Sequence, residues 1–404
     1  MRAGRPLRIV KITPMPFFVD AGGCVRVLEE ARALERAGHR VVICTYNMGR
    51  DLPGLEIVRV PRAIPQYGPA DLALTPRKLL VKLGLDIALL ATALRVARAV
   101  RADCLHAHLD DGALLGLILS RLLRTPMIYD CQGSYTATLI GDGSLRPRSL
   151  AARLRVSAER IVARACPLVV TSAPHTAEHL IREVGIEPTR IRVLLDRINT
   201  DLFQPGLAPA GLRERLAIPP EAAVVVYLGM LRESYGIDLL LSAARAVAAR
   251  MPHAHFLLMG YPNVEHYRAR AEALGLNGRV TFTGAVNYFE SPAYLALGDV
   301  AVAPKPPTQG GANSKVLNYM AMGLPVVAFD DPLNRKMLGD LGVFAVPGSA
   351  ASLAEGLLHL LAQPDRGREI GRALRDLVVK EFAWADGARE LHGAYAAAGV
   401  RVDR

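Results

Sequence analysis

The sequence predicts an α/β protein built from two doubly wound parallel-sheet domains. Short apolar strands alternate with amphipathic helices in both halves of the chain, which is the pattern of parallel sheets. The 404 residues are enough for two domains of ordinary size. A turn-rich stretch at 196–220 lies between the halves. We therefore expect one domain at 1–200, a second at 201–383, and a final helix at about 384–404 that packs back on the first.

Composition indicates a globular chain with an anionic partner. Hydrophobic residues make up 51% and charged residues 22%, and the formal net charge is +11. This charge suits a nucleotide, a phospholipid surface or nucleic acid. Nucleic acid is disfavoured, because aromatic residues make up only 5% and form no stacking stripe between the scattered arginines.

The cysteines and the first residues indicate a reducing compartment. Five cysteines are spread along the first half, which disfavours a disulfide framework and a Cys-x-x-Cys metal site. Arg8 and Lys11 interrupt the first apolar run, so it does not have the pattern of a signal segment. We expect a cytoplasmic protein.

The most apolar stretch, Leu79 to Val100, is the nearest approach to a membrane span. Lys82, Asp86 and Arg95 interrupt it, which disfavours a true span. Two interpretations stay open: a core-facing helix, or a helix in peripheral contact with the inner membrane face. In the second interpretation the polar edge consists of Arg77, Lys78, Lys82, Arg95, Arg98 and Arg101.

The first strand, Leu7 to Ile12, leads into a loop that ends in Gly22 and Gly23. A helix over 25–37 and a strand over 41–45 follow. The glycine pair could seat a ligand phosphate or sugar against the helix start. The Gly-x-Gly-x-x-Gly spacing of dinucleotide-binding proteins is missing, so hydride transfer is disfavoured.

A strand over 102–108 ends in His106 and His108. Open α/β sheets place ligands just past the carboxyl ends of their strands, so His108 is well placed for chemistry. Alternatively, both histidines are half-buried packing residues, or they form a metal site with Asp110. Both rings point to one face of the strand, but the sequence identifies no third ligand nearby, so we expect no metal.

In the second half, strands over 223–228 and 255–259 lead into loops that carry Gly229, Gly260 and Tyr261. A helix begins at Ile237, after the glycine of Gly236. These loops again follow strand ends, where a ligand would bind.

The stretch 298–328 predicts a strand, a glycine-bearing loop, a short helix and another strand. Asn313 or Ser314 can cap the helix. The helix start, with Lys305 and Lys315 beside it, predicts an anion site that suits a diphosphate. Alternatively, Gly310 and Gly311 merely turn the chain and Lys315 is a surface lysine. The Walker ending Gly-Lys-Ser/Thr is missing.

In order and spacing, these stretches resemble the retaining glycosyltransferases of family 4, which have the GT-B fold of two Rossmann-like domains facing a cleft. The resemblance covers nearly the whole chain. It is carried by Gly22-Gly23, His106-Ala107-His108, Tyr227-Leu228-Gly229, Gly236 to Leu240, Arg279 to Gly284, Lys315 to Ala328, and Phe382-Ala383-Trp384 with Tyr395.

The resemblance implies a glycosyltransferase whose second domain binds a nucleotide sugar and whose first domain binds the acceptor. It places a histidine at His108 that stabilises oxocarbenium character in the transferred sugar. It implies no metal and no cofactor besides the donor substrate. The implied donor-binding positions are Gly22, Gly23, Gly229, Gly260, Tyr261, Gly310, Gly311, Asn313, Ser314, Leu317 and Asn318.

The chain departs from the family at four charged positions. Gly310 and Asn318 stand where the family carries two glutamates, and Met230 and Tyr235 stand where an arginine and a lysine neutralise the diphosphate. We expect the phosphate clamp to have moved to three other cations, namely Arg232, Lys305 and Lys315.

These departures leave three hypotheses. The first is an active retaining transferase with the relocated clamp, acting on a glycan, lipid-linked or small-molecule acceptor. The second is a catalytically silent protein of this fold that binds a glycan or a partner enzyme as a scaffold. The third is another reaction of the fold, such as nucleotide-sugar epimerisation.

Overall fold

The computed structural model describes residues 5–64, 76–141, 145–206, 208–307, 313–384 and 387–401. The side chains of 76–79, 138 and 141 are outside this description. The chain forms two compact units, which we describe one at a time. The first runs to Asp196 and resumes at Trp384, and the second begins at Arg197 and ends at Ala383.

In the part of the first unit that the structure describes before residue 197, there are seven parallel strands and six helices. The strands are β1 (Arg8–Thr13), β2 (Arg40–Thr45), β3 (Glu56–Arg59), β4 (Cys104–His108), β5 (Met127–Cys131), β6 (Val169–Thr171) and β7 (Ile191–Val193). The helices are α1 (Gly22–Arg36), α2 (Pro76–Val100), α3 (Leu109–Leu123), α4 (Tyr135–Gly141), α5 (Leu150–Ala165) and α6 (Pro174–His179), with a π-helical turn at Leu180–Val184 and a 3₁₀ turn at Pro188–Arg190.

Within the described residues, the second unit contains six parallel strands and eight helices. The strands are β8 (Ala223–Leu228), β9 (Ala254–Met259), β10 (Val280–Gly284), β11 (Val300–Ala303), β12 (Val326–Phe329) and β13 (Val343–Ala345). The helices are α7 (Leu212–Arg215), α8 (Ile237–Arg250), α9 (Val264–Ala273), α10 (Ser291–Leu295), α11 (Lys315–Ala321), α12 (Pro332–Leu338), α13 (Ala350–Leu361) and α14 (Pro364–Glu381), with 3₁₀ turns at Glu233–Tyr235 and Gly339–Leu341. A last helix, α15 (Gly387–Ala397), belongs to the first unit.

Both sheets have the strand order of doubly wound α/β folds, which confirms the predicted fold class. The first is ordered β3-β2-β1-β4-β5-β6-β7 and the second β10-β9-β8-β11-β12-β13. The order reverses beside β1 in one sheet and beside β8 in the other, and ligands bind past the strand ends at such points. In the first unit, β1 pairs in parallel with β2 and β4, so the carboxyl end of β4 lies at this switch point.

The helices of the first unit cover both faces of its sheet. Helix α15 packs on α1, whereas α2 packs beside α3 and α3 beside α5. Since crossovers between parallel strands are right-handed, the reversal of strand order puts α1 on one face and α2, α3 and α5 on the other. Among the described helices, we find none with the length and hydropathy needed to cross a bilayer.

Two local predictions are wrong. Gly22 and Gly23 form the first turn of α1 rather than a loop before it. At Gly23 a Cβ would lie 2.7 Å from Oε1 of Gln132, so this glycine lets the Gln132 side chain approach the helix start, whereas a Cβ on Gly22 would meet nothing within 4 Å. At α11, Ser314 makes no capping hydrogen bond with its side chain. The Asn313 side chain does not cap either: its Nδ2 donates to Oδ1 of Asn334 at 3.0 Å, and its own Oδ1 accepts no hydrogen bond within the described chain.

Candidate functional site

The first candidate site surrounds His108 at the carboxyl end of β4. The chain turns directly into α3 there, and Leu109 adopts a left-handed φ of 63°, which is uncommon for a residue other than glycine. Five buried side chains from β1, α1, β4 and β5 meet at this point, and we call them the His108 cluster: Lys11, Glu30, His106, His108 and Asp130.

Three polar side chains surround the ring of His108. Nζ of Lys11 donates to Oε2 of Glu30 at 2.5 Å and lies 3.3 Å from Nε2 of His108. Nδ1 lies 3.3 Å from the amide nitrogen Nε2 of Gln132 and 3.5 Å from Oδ2 of Asp130. The ammonium at Nε2 and the carboxylate favour a proton on Nδ1, whereas the amide donor of Gln132 favours the other tautomer. Burial first, and Lys11 second, hold the pKa of His108 well below its ordinary value, so the ring is neutral near pH 7.

A further cation, Arg26, balances the carboxylates of the cluster. Arg26 is buried, and its guanidinium donates to Asp130 and to Asp196, each at 2.8 Å. The same group lies 3.2 Å from Oε1 of Glu30. Buried ions are tolerated when they are paired and hydrogen-bonded, and here every cation has carboxylates within reach.

A second histidine packs against the ring of His108. The ring of His106 stacks on that of His108 with centroids 4.4 Å apart, and its Nδ1 lies 3.0 Å from the hydroxyl of Tyr395 on α15. Burial, and then Lys11, lower the pKa of His106 as well. The predicted half-burial of the two histidines is wrong, since both are 0% exposed. A direct contact between His108 and a sugar stays a prediction.

The inference that no third metal ligand lies near the two histidines is also wrong. Carboxylates of Glu30 and Asp130 come close enough that one ligand atom from each of these four residues lies within 4.8 Å of the others. The imidazole nitrogens and carboxylate oxygens of these residues are donor atoms that transition metals bind. The Lys11 ammonium, however, already takes the cation position beside Glu30 and His108. The absence of a metal requirement stays a prediction.

The second candidate site lies at the carboxyl ends of β8 and β11. Lys315 is the first residue of α11, and its Nζ lies 3.5 Å from the hydroxyl and 4.8 Å from the ring centroid of Tyr227. The Tyr235 ring centroid is 5.2 Å from Nζ of Lys315 and 5.7 Å from Nζ of Lys305. We call these four residues the lysine–tyrosine site. Its ammonium groups are at cation–π distance from the rings.

The two lysines of this site are electrostatically strained. Burial first, and the charge of Lys305 second, lower the pKa of Lys315 to about 7. Burial lowers the pKa of Lys305 to about 8, against an opposing effect of Asp331. Within the described residues, Lys315 has no carboxylate at ion-pair distance. A bound anion would relieve this strain by favouring the charged form of both groups.

Glycines bring the backbone close to these lysines. Gly229 has a φ of 151°, and a Cβ there would lie 2.9 Å from Nζ of Lys315 and 2.9 Å from the Tyr227 hydroxyl. A Cβ on Gly260 would lie 1.7 Å from the carbonyl oxygen of Gly229. Only glycine fits at both positions, and each strand-end loop therefore presents bare backbone at the site.

The other predicted donor residues lie in varied surroundings. Leu317 is buried in the core, Asn318 is half-buried, and Tyr261 is 37% exposed. Arg232 is in the loop after β8, and its charge lowers the pKa of Tyr267 against the raising effects of burial and Asp238. Its part in a phosphate clamp stays a prediction. Gly310 and Gly311 lie outside the described residues.

Sequence reasoning missed most of the His108 cluster and the aromatic part of the lysine–tyrosine site. The available signal was a charged residue inside an apolar strand, as Lys11 is in β1 and Asp130 in β5. Tyr319 was also missed. Its hydroxyl accepts from the backbone N–H of Leu228 at 2.8 Å and so ties α11 to the end of β8.

Comparisons with known proteins agree with this architecture. The model of the family described as Glycosyl transferase 4-like domain matches residues 21–195, and that of Glycosyl transferases group 1 matches residues 222–363. D-inositol 3-phosphate glycosyltransferase of Corynebacterium aurimucosum is 26% identical over 401 residues, covering 93% of this chain and 91% of the relative. The enzyme of that name from Mycobacterium bovis is 26% identical over 405 residues, covering 93% and 79%.

Solved structures share the fold. Sucrose-phosphate synthase from Thermosynechococcus elongatus superposes with a TM-score of 0.77 at 20% identity, covering 97% of this chain and 98% of that one. Anabaena Alr3699/HepE in complex with UDP and glucose gives 0.73 at 17% identity, covering 97% and 100%. Together the two family models match most of the chain, and the sheets have the topology that the matches require. The chain therefore belongs to the family 4-like glycosyltransferases with the GT-B fold.

Proposed function

We propose that the protein is a retaining, metal-independent transferase that moves a sugar from a nucleoside diphosphate sugar to a hydroxyl group of a glycan, lipid-linked or small-molecule acceptor. The observation that carries this proposal is the pair of lysines that share the ring of Tyr235, one of which, Lys315, lies against Gly229. A related fold has been solved with UDP and glucose bound, and the curated relatives are named for transfer to an inositol phosphate.

In this proposal, Lys305 and Lys315 bind the diphosphate of the donor. The family's lysine before Gly236 is replaced by Tyr235, and the ring of this tyrosine now supports both ammonium groups at cation–π distance. The charge lost at residue 235 is thus supplied from 305 and 315. Each lysine forms charge-assisted hydrogen bonds that strengthen as charge develops on the leaving phosphate.

The bond changes are confined to the sugar and its two partners. The bond between the anomeric carbon and the diphosphate oxygen breaks, and the acceptor oxygen bonds to the same face of that carbon. The acceptor proton passes to the departing phosphate oxygen, so atoms and charge balance. His108 is neutral, so it adds no positive charge beside an oxocarbenium-like sugar, and its Lys11 and Asp130 partners hold the ring in one orientation.

Metal independence is supported by the chain's own cations. Lys305 and Lys315 provide positive charge at a strand-end site, which is the part a divalent ion plays in other transferases. The sequence contains no Asp-x-Asp pair to hold such an ion there. We expect turnover to persist in excess chelator, and loss of turnover that Mg²⁺ or Mn²⁺ restores would contradict the proposal.

The central test is calorimetric binding of a panel of UDP- and GDP-sugars. We expect saturable binding of at least one donor by the wild-type protein. The Lys305→Ala/Lys315→Ala variant should bind that donor roughly a hundredfold or more weakly, because two charge-assisted contacts are lost. Lys336→Ala, at an exposed position of α12, is the matched control and should bind normally.

Three results would contradict this assignment in part or as a whole. Undiminished affinity in the double lysine variant would refute the relocated clamp but leave transfer itself standing. No binding of any nucleotide sugar would favour the silent-scaffold hypothesis. Product formed from the donor without an added acceptor would favour epimerisation.

A further inference from the structure

The α2–α3–α5 face of the first unit exposes an unusual amount of apolar side chain. Nine of the thirteen large hydrophobic side chains that are exposed in the described chain lie on these three neighbouring helices. They are 42% to 72% exposed, and no part of the described chain covers them. They are Leu80, Leu83, Ile87, Leu114, Ile118, Leu122, Leu150, Leu154 and Ile161.

Helical spacing puts these residues on the outer side of each helix. On α3 the exposed trio recurs every four residues, and on α2 the exposed residues are followed one turn later by exposed Ala91. The inner side of α2 is apolar too, since Leu85 and Leu89 are fully buried in the core of the first unit. The helix therefore faces the core, as the first interpretation of 79–100 expects, and it also has the exposed apolar face that the second interpretation requires. An ordinary surface helix has only the core-facing apolar side.

The exposed charged residues on the helices of this face are basic. Exposed arginines are found on or directly after each helix: Arg95, Arg98, Arg101, Arg121, Arg124, Arg153 and Arg164. Arg77 and Lys78, predicted at the polar edge, lie outside the described side chains. Lys82 does not belong to that edge, because its ammonium is half-buried between Asp86 at 2.8 Å and Asp111 at 2.7 Å.

The acidic residues of the same helices are engaged within the first unit. Asp86 accepts from the Tyr46 hydroxyl, Asp110 from that of Tyr129, and Glu159 from Ser134. Among their described residues, the three helices expose arginines but no aspartate or glutamate. The face is thus apolar in its middle and positive around it, without compensating negative charge.

From this combination we infer that the α2–α3–α5 face docks on an anionic lipid bilayer. Leucine and isoleucine side chains enter the boundary of headgroups and acyl chains, while the arginines meet lipid phosphates. A second copy of the chain fits less well. A two-fold interface through this face would bring the arginines of both copies together with no exposed carboxylate between them.

The direction of the helices determines which edge of the sheet lies next to a docked bilayer. In a doubly wound unit the helices run opposite to the strands, so their first turns lie at the carboxyl edge of the sheet. Leu80, Leu83, Leu150 and Leu154 therefore lie at the edge that carries His108. This step rests on the proposed function: a bilayer bound here would present a lipid-anchored acceptor at the edge where transfer takes place.

The test is co-sedimentation of the full chain with vesicles of equal parts phosphatidylglycerol and phosphatidylcholine at low salt. We expect binding to these vesicles, weaker binding as salt rises, and none to phosphatidylcholine alone. Arg98→Gln/Arg121→Gln should weaken binding by roughly 25-fold, about fivefold for each arginine. Leu83→Ser/Leu154→Ser should weaken it by about tenfold or more for each leucine.

Matched controls come from the second unit. Arg245→Gln/Arg372→Gln and Val346→Ser/Val379→Ser change exposed residues of the same types and should bind vesicles like the wild type. Equal loss in the control variants would overturn the inference, as would no binding of the wild type at low salt. Concentration-dependent dimers that Leu83→Ser/Leu154→Ser dissociates, without vesicle binding, would assign the face to a second copy instead. Donor binding by calorimetry should be unchanged in all four variants, so a failure here is distinct from a failure of the proposed function.

Discussion

Each unit places two cations at the carboxyl edge of its sheet, but in different surroundings. At the His108 cluster, the buried Lys11 bonds to Glu30 and the buried Arg26 to two aspartates. In the lysine–tyrosine site, Lys305 and Lys315 are half-buried and face aromatic rings. Burial lowers the pKa of both lysines, and the charge of Lys305 lowers the pKa of Lys315 as well. Within the described chain Lys315 has no carboxylate at ion-pair distance, so a bound anion would supply its missing counter-charge.

The two sites should also differ in what their cations contribute to the stability of the fold. A buried pair that loses one partner leaves an uncompensated ion, which is costly. Removing a cation that is already strained relieves the fold rather than damaging it. The two kinds of lysine should therefore respond in opposite directions to the same substitution.

Lys11→Met should show the largest effect. It leaves the Glu30 carboxylate buried beside neutral His108 with Arg26 as its remaining cation, and we expect a loss of about 3–5 kcal/mol in the free energy of unfolding. Lys315→Met should change that free energy by no more than about 0.5 kcal/mol, or raise it. Urea unfolding of both variants and of the exposed control Lys336→Met measures the contrast.

Equal destabilisation by Lys11→Met and Lys315→Met would contradict the proposed difference between the two lysines. A second variant keeps the result interpretable if Lys11→Met fails to fold. Lys11→Met/Glu30→Gln removes both charges of the pair, so it should recover part of the lost stability.

Gly229→Ala should show an intermediate effect. The new Cβ would lie 2.9 Å from Nζ of Lys315 and must displace the ammonium, and the φ of 151° disfavours any residue with a side chain. We expect donor affinity to fall by roughly thirtyfold, about 2 kcal/mol. Gly278→Ala is the control, because its φ is 70° and a Cβ there meets nothing within 4 Å.

Calorimetric titration of a UDP-sugar compares the two glycine variants. Gly278→Ala should lose stability through backbone strain alone and keep its donor affinity. If Gly229→Ala binds the donor as tightly as Gly278→Ala does, the loop after β8 does not position Lys315 for the diphosphate.

The sequence predicted those features that depend on local pattern. Apolar strands that alternate with helices were enough for the two sheets, and the loop after β11 drew attention to Lys305 and Lys315, which the structure brings to one tyrosine ring. The glycine pair at Gly22 was misplaced by a turn, because glycine usually signals a loop, whereas Gly23 lets the Gln132 side chain approach the helix start.

The His108 cluster could not be predicted in the same way. Lys11, Glu30 and Asp130 come from β1, α1 and β5, and only tertiary packing brings them to His108. A lysine within an apolar strand looks like an interruption until its carboxylate partner is known. The α2–α3–α5 face was only partly foreseen for a related reason, since hydropathy does not tell which side of a helix is covered.

The smallest expected effect is a pair of opposite pH dependences from Lys315. Its pKa of about 7 in the folded chain lies below the ordinary lysine value, so the unfolded chain binds more protons between these values. The stability of the unliganded protein should therefore rise as pH increases from about 7 toward 10. A bound diphosphate is held more tightly by the charged lysine, so donor affinity should fall as Lys315 loses its proton, by about tenfold in all.

Measuring the affinity for a UDP-sugar between pH 6.5 and 8.5 tests whether donor affinity falls as pH rises. Lys305, with a pKa of about 8, should add to the slope at the upper end. The Lys315→Gln variant has no titratable group at this position. Its donor affinity should be weaker than that of the wild type and nearly independent of pH until Lys305 loses its proton. The His108 cluster provides the internal contrast, because its histidines are held neutral well below this range and contribute no slope. A wild-type affinity that is flat with pH would mean that the donor diphosphate does not meet Lys315, and the uncompensated charge would need another anion to explain it.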